Sequence, residues 1–172
     1  MTDQDKTAAT EIQQHLAFSL AGETFAIRLL DVREIIEYGV VTKIPTMPNF
    51  IRGVINLRGR VVPIMDLSAR FGENCTAINE RTCVIIVELR RDDGRDVDMG
   101  LLVDSVNAVL KIVPNSIEPA PSFGAKIRLE FIRGMWKWHE KFVIMLDLDK
   151  VLSIDEIKQV VVQLQGVESA TA

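Results

Sequence analysis

Two aspartates in matching surroundings, Asp66-Leu67-Ser68 and Asp147-Leu148-Asp149, are the first candidates for chemistry. Paired carboxylates in duplicated halves can share a proton and activate water, as in aspartic proteases. Such dyads sit on Asp-Thr/Ser-Gly loops, and here the glycine is missing from both copies. As helix caps, the two aspartates would instead accept hydrogen bonds from free backbone N–H groups, and both sequences fit that role. His15 and His139 have no serine, cysteine or carboxylate at triad spacing, so they read as surface or packing residues. Cys75 and Cys83 have neither zinc-ligand nor Cys-x-x-Cys spacing, and they fit structural thiols of a reduced, cytoplasmic protein. Gly53 and Gly59 lack the Lys-Ser/Thr of a phosphate loop. No catalysis, cofactor or metal is expected from these residues.

Asn56-Leu57-Arg58-Gly59 is the remaining constellation. Asn and Gly suit a hairpin tip, with Arg58 merely solvated. Arg58 also fits an anchor for a partner's carboxylate or helix, beside apolar Val54 and Leu57. An internal repeat bears on the choice. Phe50-Ile51-Arg52-Gly53 recurs as Phe131-Ile132-Arg133-Gly134 and Asp66-Leu67 as Asp147-Leu148, an offset of 81 (131 − 50) with no gap. Seven of the 22 positions aligned from Phe50 and Phe131 are identical, enough to indicate a duplicated supersecondary unit. A fainter echo at an offset of 74 places Phe25 to Leu29 over Met99 to Val103, and Val32, Ile35 and Ile36 over Val106, Val109 and Leu110. Where the first copy has Asn56 to Gly59, the second has Lys137-Trp138-His139-Glu140, so the fold does not require Asn-Leu-Arg-Gly. Trp136 and Trp138 alternate onto one strand face, where they fit core packing or a partly exposed contact.

The elements that must position these residues read mostly as strands. Residues 15–20 and 24–29 form a hairpin about Ala21-Gly22-Glu23, which Val32, Ile35 and Ile36 continue after a short irregular step. Pro45 and Pro48 mark a loop. Gly53 to Leu57 and Val61 to Met65 make a second hairpin about Arg58-Gly59-Arg60, followed by a short helix from Leu67 to Phe71. Val84 to Leu89 and Val97 to Val103 flank a turn at residues 91–95, and a loop holds Pro114, Pro119 and Pro121. Gly134 to Trp138 and Phe142 to Leu146 then repeat the second hairpin, so residues 53–65 and 134–146 should be equivalent. Ser153 and Glu156 fit a capping box, with Ile157, Val160, Val161 and Leu164 on one helical face. Many short strands in two equal halves predict two small antiparallel barrels side by side, a closure that removes exposed edges.

Composition narrows the function classes. With 172 residues and 48% hydrophobic content, the chain can bury the core of one domain or two small intimate subdomains. A net charge of −4 argues against nucleic acid, which favours a basic face. No apolar stretch approaches the roughly 20 residues that span a bilayer, so no membrane insertion is expected. Met1 to Gln14 is polar and lacks a signal peptide's apolar centre.

The run from Pro48 to Leu67, Pro48-Asn49-Phe50-Ile51-Arg52-Gly53-Val54-Ile55-Asn56-Leu57-Arg58-Gly59-Arg60-Val61-Val62-Pro63-Ile64-Met65-Asp66-Leu67, closely resembles the signature of the CheW family of chemotaxis coupling proteins. Val32-Arg33-Glu34-Ile35-Ile36, Gly100 to Val106 and the second Phe-Ile-Arg-Gly block extend the resemblance over residues 15–165. Similar domains occur in the kinase CheA and in CheV, but this chain has no room for a kinase core or a receiver, which favours a free-standing adaptor.

The resemblance implies two intertwined SH3-like five-stranded antiparallel β-barrels with short helices and a C-terminal helix. It divides the chain into a disordered tail (1–14), two barrel subdomains (15–75 and 80–152), a helix (153–165) and a frayed end (166–172). It also implies a non-enzymatic scaffold, cytoplasmic and recruited to membrane-associated arrays, that joins the cytoplasmic hairpin tips of chemoreceptors to the regulatory domain of CheA. A non-flagellar pathway such as twitching motility is the alternative setting. Receptor binding carries over to Val32, Glu34, Gly53, Asn56, Leu57, Arg58 and Gly59, in or near a groove between the barrels. Kinase binding carries over as a region of the second barrel, with Gly134 and Met135 as its residues. Trp136 and Trp138 depart from the family pattern and bear on partner preference.

Overall fold

The computed structural model describes residues 11–89, 96–120 and 128–152. Its strands are β1 (Gln13–Leu20), β2 (Glu23–Arg28), β3 (Val32–Glu37), β4 (Ile51–Leu57), β5 (Arg60–Asp66), β6 (Cys83–Leu89), β7 (Val97–Val103), β8 (Ser105–Ile112), β9 (Ile132–Trp138) and β10 (Lys141–Leu146). Two one-turn helices, α1 (Leu67–Arg70) and α2 (Leu148–Val151), follow β5 and β10. Among the described residues no helix is long and apolar enough to cross a membrane.

Five strands form each of two sheets, in the orders β8-β1-β2-β10-β9 and β3-β6-β7-β5-β4. Replacing each strand of the first order by its repeat mate yields the second. The two SH3-like units are therefore one design built twice, but neither is a contiguous half of the chain. β1 and β2 leave the first half to join β8, β9 and β10, while β6 and β7 complete the sheet begun by β3, β4 and β5. The expected cut into subdomains 15–75 and 80–152 is thus not the division between the sheets. Nor is the pairing antiparallel throughout. β5 runs parallel to β7 and β10 parallel to β2, whereas the other two junctions between strands of different repeats, β1 with β8 and β3 with β6, are antiparallel.

Three further expectations change. β3 does not continue the first hairpin; a 3-10 turn at Leu29–Asp31 carries the chain across to pair β3 with β6. The segment after Val103 is not loop until Pro114, because β8 pairs with β1 and occupies β3's place in the other sheet. β1 begins at Gln13, inside the expected tail, since Gln13 and Gln14 pair with Ile112 and Lys111. The turn at 91–95, Pro121, the helix at 153–165 and both chain ends lie outside the described residues.

Strand alternation separates three apolar clusters. Val62, Ile64, Val84, Ile86 and Leu102 fill the interior of the β3–β7 barrel. Ala17, Ala26, Leu110, Ile112, Val143 and Met145 line the other interior, with Trp136 and Trp138 packed against them. Both tryptophans thus serve packing. They replace Ile55 and Leu57 at a place where Ala17, in the position of Ile86, leaves room for larger rings. Opposite-facing residues of both sheets, including Phe18, Phe25, Ile27, Met65, Ile85, Leu101 and Phe131, merge into one central core. Burying such side chains is each worth about 1.5–3 kcal/mol, so the shared core binds the two barrels together.

Candidate functional site

The two β-hairpins expected to correspond do so register for register. Gly53 faces Ile64 and Leu57 faces Arg60; Gly134 faces Met145 and Trp138 faces Lys141. Each hairpin leads into a helix capped by its aspartate. Asp147 accepts from the Lys150 N–H at 3.3 Å. Asp66 is fully buried and accepts from the N–H groups of Ser68 and Ala69 and from both N–H and hydroxyl of Thr76. Arg52 Nε lies 3.7 Å away. With Asp66 occupied by these donors and Asp147 at its own helix, the pair forms no proton-sharing dyad. Asp147 also lines a cleft of about 180 Å³ with Arg28, Asp31, Arg133 and Asp149. Among the described residues no group of three or more His, Cys, Asp or Glu could hold a metal.

Gly53 and Gly134 owe their place to backbone packing. Thr42 exchanges both backbone hydrogen bonds with Val54, at 2.9 and 2.8 Å, and Glu118 does so with Met135, at 2.7 Å each way. A Cβ on Gly53 would collide with the Thr42 carbonyl oxygen, and one on Gly134 with Ile117 and Glu118. Both glycines are buried, and Met135 is half-buried. They seal the barrels at the same point in each repeat.

The tip of the β4–β5 hairpin is different. Its two turn residues, Arg58 (φ 53°) and Gly59 (φ 84°), are both left-handed, so the tip is two residues long and Arg60 already belongs to β5. Such turns match the right-handed twist of the flanking strands. The Asn56 Oδ1 accepts from the Gly59 N–H at 2.8 Å, and this fixes the loop. Arg58 remains 74% exposed, and its Nη2 donates to Glu34 Oε2 at 2.8 Å. That bond holds the Arg58 guanidinium above its ordinary pKa. It also joins β3 to the β4–β5 hairpin, the two ends of the strand order, and so helps close the barrel. The other carboxylate oxygen, Oε1 of Glu34, is buried without a hydrogen-bond partner.

A second row of charges lies beside this pair. Arg33 meets Glu88 at 3.0 Å and Asp98 at 3.3 Å, and Arg60 meets Asp98 at 3.0 Å. Bonding to Glu88, with the field of Asp98, raises the pKa of Arg33. The side chains run in strand order across β3, β6, β7 and β5. None was singled out from the sequence. The signal was Asp98 itself, a charge on the same alternate face as Gly100 and Leu102 in an otherwise apolar strand.

The equivalent end of the other barrel lacks this arrangement. The offsets of 81 and 74 put His139, Lys141, Asn107, Ala108 and Thr24 where Arg58, Arg60, Arg33, Glu34 and Asp98 stand. Strand register puts Ser19 in Glu88's place, since Ala17–Ala26 corresponds to Ile86–Gly100. Ser19 and Asn107 hydrogen-bond there at 2.9 Å, and the site is nearly uncharged. Val32 packs against the central core and Leu57 against the β3–β7 interior.

Comparison with known proteins agrees with this architecture. A family model described as a CheW-like domain matches residues 14–156. The chain is 38% identical to the chemotaxis protein CheW of Klebsiella aerogenes over 84% of each chain. It is 31% identical to that of Rhizobium meliloti over 91% of this chain and 97% of the relative. The crystal structure of the scaffolding protein TtCheW from Thermoanaerobacter tengcongensis superposes with a TM-score of 0.74 at 36% identity, covering 84% of this chain and 90% of that one. Family model, sequence relatives and fold converge: this chain belongs to the CheW-like family of chemotaxis adaptors, scaffolds that are not enzymes.

Proposed function

We propose that this chain couples chemoreceptors to the kinase CheA, as a cytoplasmic protein recruited to membrane-associated receptor arrays. The receptor's cytoplasmic hairpin tip meets the β3–β7 barrel at the end formed by Val32, Glu34, Asn56, Leu57, Arg58 and Gly59. The regulatory domain of CheA meets the other barrel in the region of β9, beside Met135. Gly53 and Gly134 serve this function indirectly, by letting the loops close over each barrel. The observation that carries the reading is the exposed Arg58–Glu34 pair, present in one copy of a duplicated fold and absent from the other. A guanidinium with donors still facing solvent suits carbonyl or carboxylate groups on a receptor tip.

The test is Arg58→Ala with His139→Ala as its matched control. An interfacial arginine carries about 2 kcal/mol or more, so receptor-fragment binding should weaken at least about tenfold. Its exposed ion pair is screened by solvent and adds little to stability, so the melting temperature should stay near wild type. His139→Ala should bind receptor almost normally. Equal losses from both variants would refute an interface specific to the Arg58 tip.

A further inference from the structure

We propose that Asp98 is a positioning residue: by bridging Arg33 and Arg60 it holds Glu34 and Arg58 in the geometry their partner meets. The link to binding rests on the receptor-docking reading of the β4–β5 tip; the bridging geometry does not. Asp98 is only 5% exposed and lies on β7, a strand interior to its sheet. It shares a face with Leu102, which fills the barrel interior, and with Gly100, which lies against Ile64 and Val84. The carboxylate therefore closes the end of that interior.

Its two oxygens are divided between two strands that do not pair with each other. Oδ1 faces Arg33 Nε at 3.3 Å, and Oδ2 faces Arg60 Nη1 at 3.0 Å. Arg33 sits in the β3 bulge, where register shifts between Val32 and Glu34. Arg60 is the first residue of β5, paired with Leu57 across the tip. Arg33 thus directly precedes Glu34 in the chain, and Arg60 lies two residues beyond Arg58. Ion pairs to a largely desolvated carboxylate are strengthened by the low local dielectric, so Asp98 fixes the start of β3 against the hairpin. Its negative charge also separates arginines 33, 58 and 60, which would repel across this small barrel end without it. In the other barrel Thr24 holds the equivalent place and offers no carboxylate to bridge two cations.

The test uses the full chain carrying Asp98→Asn, which keeps shape and removes charge. In the free protein, NMR of the Arg58 Nε–H and the Glu34 carboxyl reads the pair directly, and both signals should move toward those of freely solvated side chains. Binding to a soluble cytoplasmic receptor fragment should fall about tenfold, binding to the CheA regulatory domain should stay within about twofold, and Asp98→Glu should recover most of the loss. Unchanged Arg58 and Glu34 signals would overturn the inference. So would equal weakening toward both partners alongside a lower melting temperature, the mark of a merely structural residue. If Asp98→Asn does not fold, Arg60→Gln, a change at an exposed side chain, should loosen the Arg58–Glu34 signals in the same way, and intact signals there would overturn the inference too. The docking reading fails separately. Arg58→Ala that binds receptor like wild type removes that reading, while the free-protein signals still decide whether Asp98 holds the pair.

Discussion

The Arg70 Nε–H donates to the carbonyl of Val151 at 3.3 Å, and Val151 is the residue standing in Arg70's own place in the second repeat (70 + 81 = 151). The same guanidinium lies 5.2 Å from the ring centre of Phe50 and 4.6 Å from that of Phe131, which are themselves repeat mates. One long cation thus fills the place where the two copies of α1 and α2 approach each other. A second arginine at Val151 would bring two like charges into the same space, so the duplication is asymmetric at its centre.

Arg70→Ala should therefore destabilise the whole fold. Losing the ring contacts, worth about 0.5–2 kcal/mol, and the hydrogen bond, worth about 1 kcal/mol, gives an expected cost near 2 kcal/mol. Urea unfolding followed by tryptophan fluorescence measures it. A cost under about 0.5 kcal/mol would show that the cation is not what joins the halves.

The two caps should differ although their sequence motifs match. Asp147→Ala removes one long hydrogen bond at a helix start and should cost about 0.5–1 kcal/mol. Asp66→Ala strands the buried donors of Thr76 and the adjacent Arg52, so a loss of about 3 kcal/mol is expected. Equal costs in parallel denaturation curves would mean that the buried Thr76 network adds nothing.

His15 gives the fold a pH dependence. It is 2% exposed, and burial lowers its pKa, with Arg133 and Arg28 adding to the effect. The folded state therefore holds His15 neutral while the unfolded chain titrates near 6.5. This contribution is complete above that value and is lost as pH falls below it. His15→Val, which installs the Val84 of the equivalent strand position, should unfold with a shallower loss between pH 7.5 and 5. The same slope in both proteins would assign the acid sensitivity to other groups.

Glu34 separates binding from stability. Its Oε1 is buried without a partner, and the repeat places Ala108 at the equivalent position, so an apolar residue is compatible with the fold there. Glu34→Leu should leave stability unchanged or raise it by about 1 kcal/mol, since an unsatisfied buried polar atom is removed. Receptor binding should fall several-fold as Arg58 loses its fixed partner. Calorimetry and receptor-fragment titration on the same preparation test both halves, and a large drop in melting temperature would make Glu34 a structural residue.

The sequence by itself determined the elements and their duplication. Alternating β-branched runs, the turn residues at Ala21-Gly22 and Arg58-Gly59, and the aspartates preceding Leu67 and Leu148 are local signals, acting over a few residues of chain. The family motif and the exceptional status of Asn56 to Gly59 were legible for the same reason. Tertiary structure alone decided which strands share a sheet. β1 and β2 leave their own half because the parallel junction of β2 with β10, like that of β7 with β5, is set by the shared central core, and no local pattern encodes a contact of that kind. β8 was missed as a strand although its echo of β3 was visible, because its partner β1 lies about ninety residues earlier in the chain. The charged row was hidden similarly: Arg33, Arg60 and Glu88 are unremarkable as separate residues, and Asp98 stands out only as a charge in an apolar strand. They become a network only when four strands from both repeats are laid side by side, which places Asp98 out of water with two arginines to stabilise its charge.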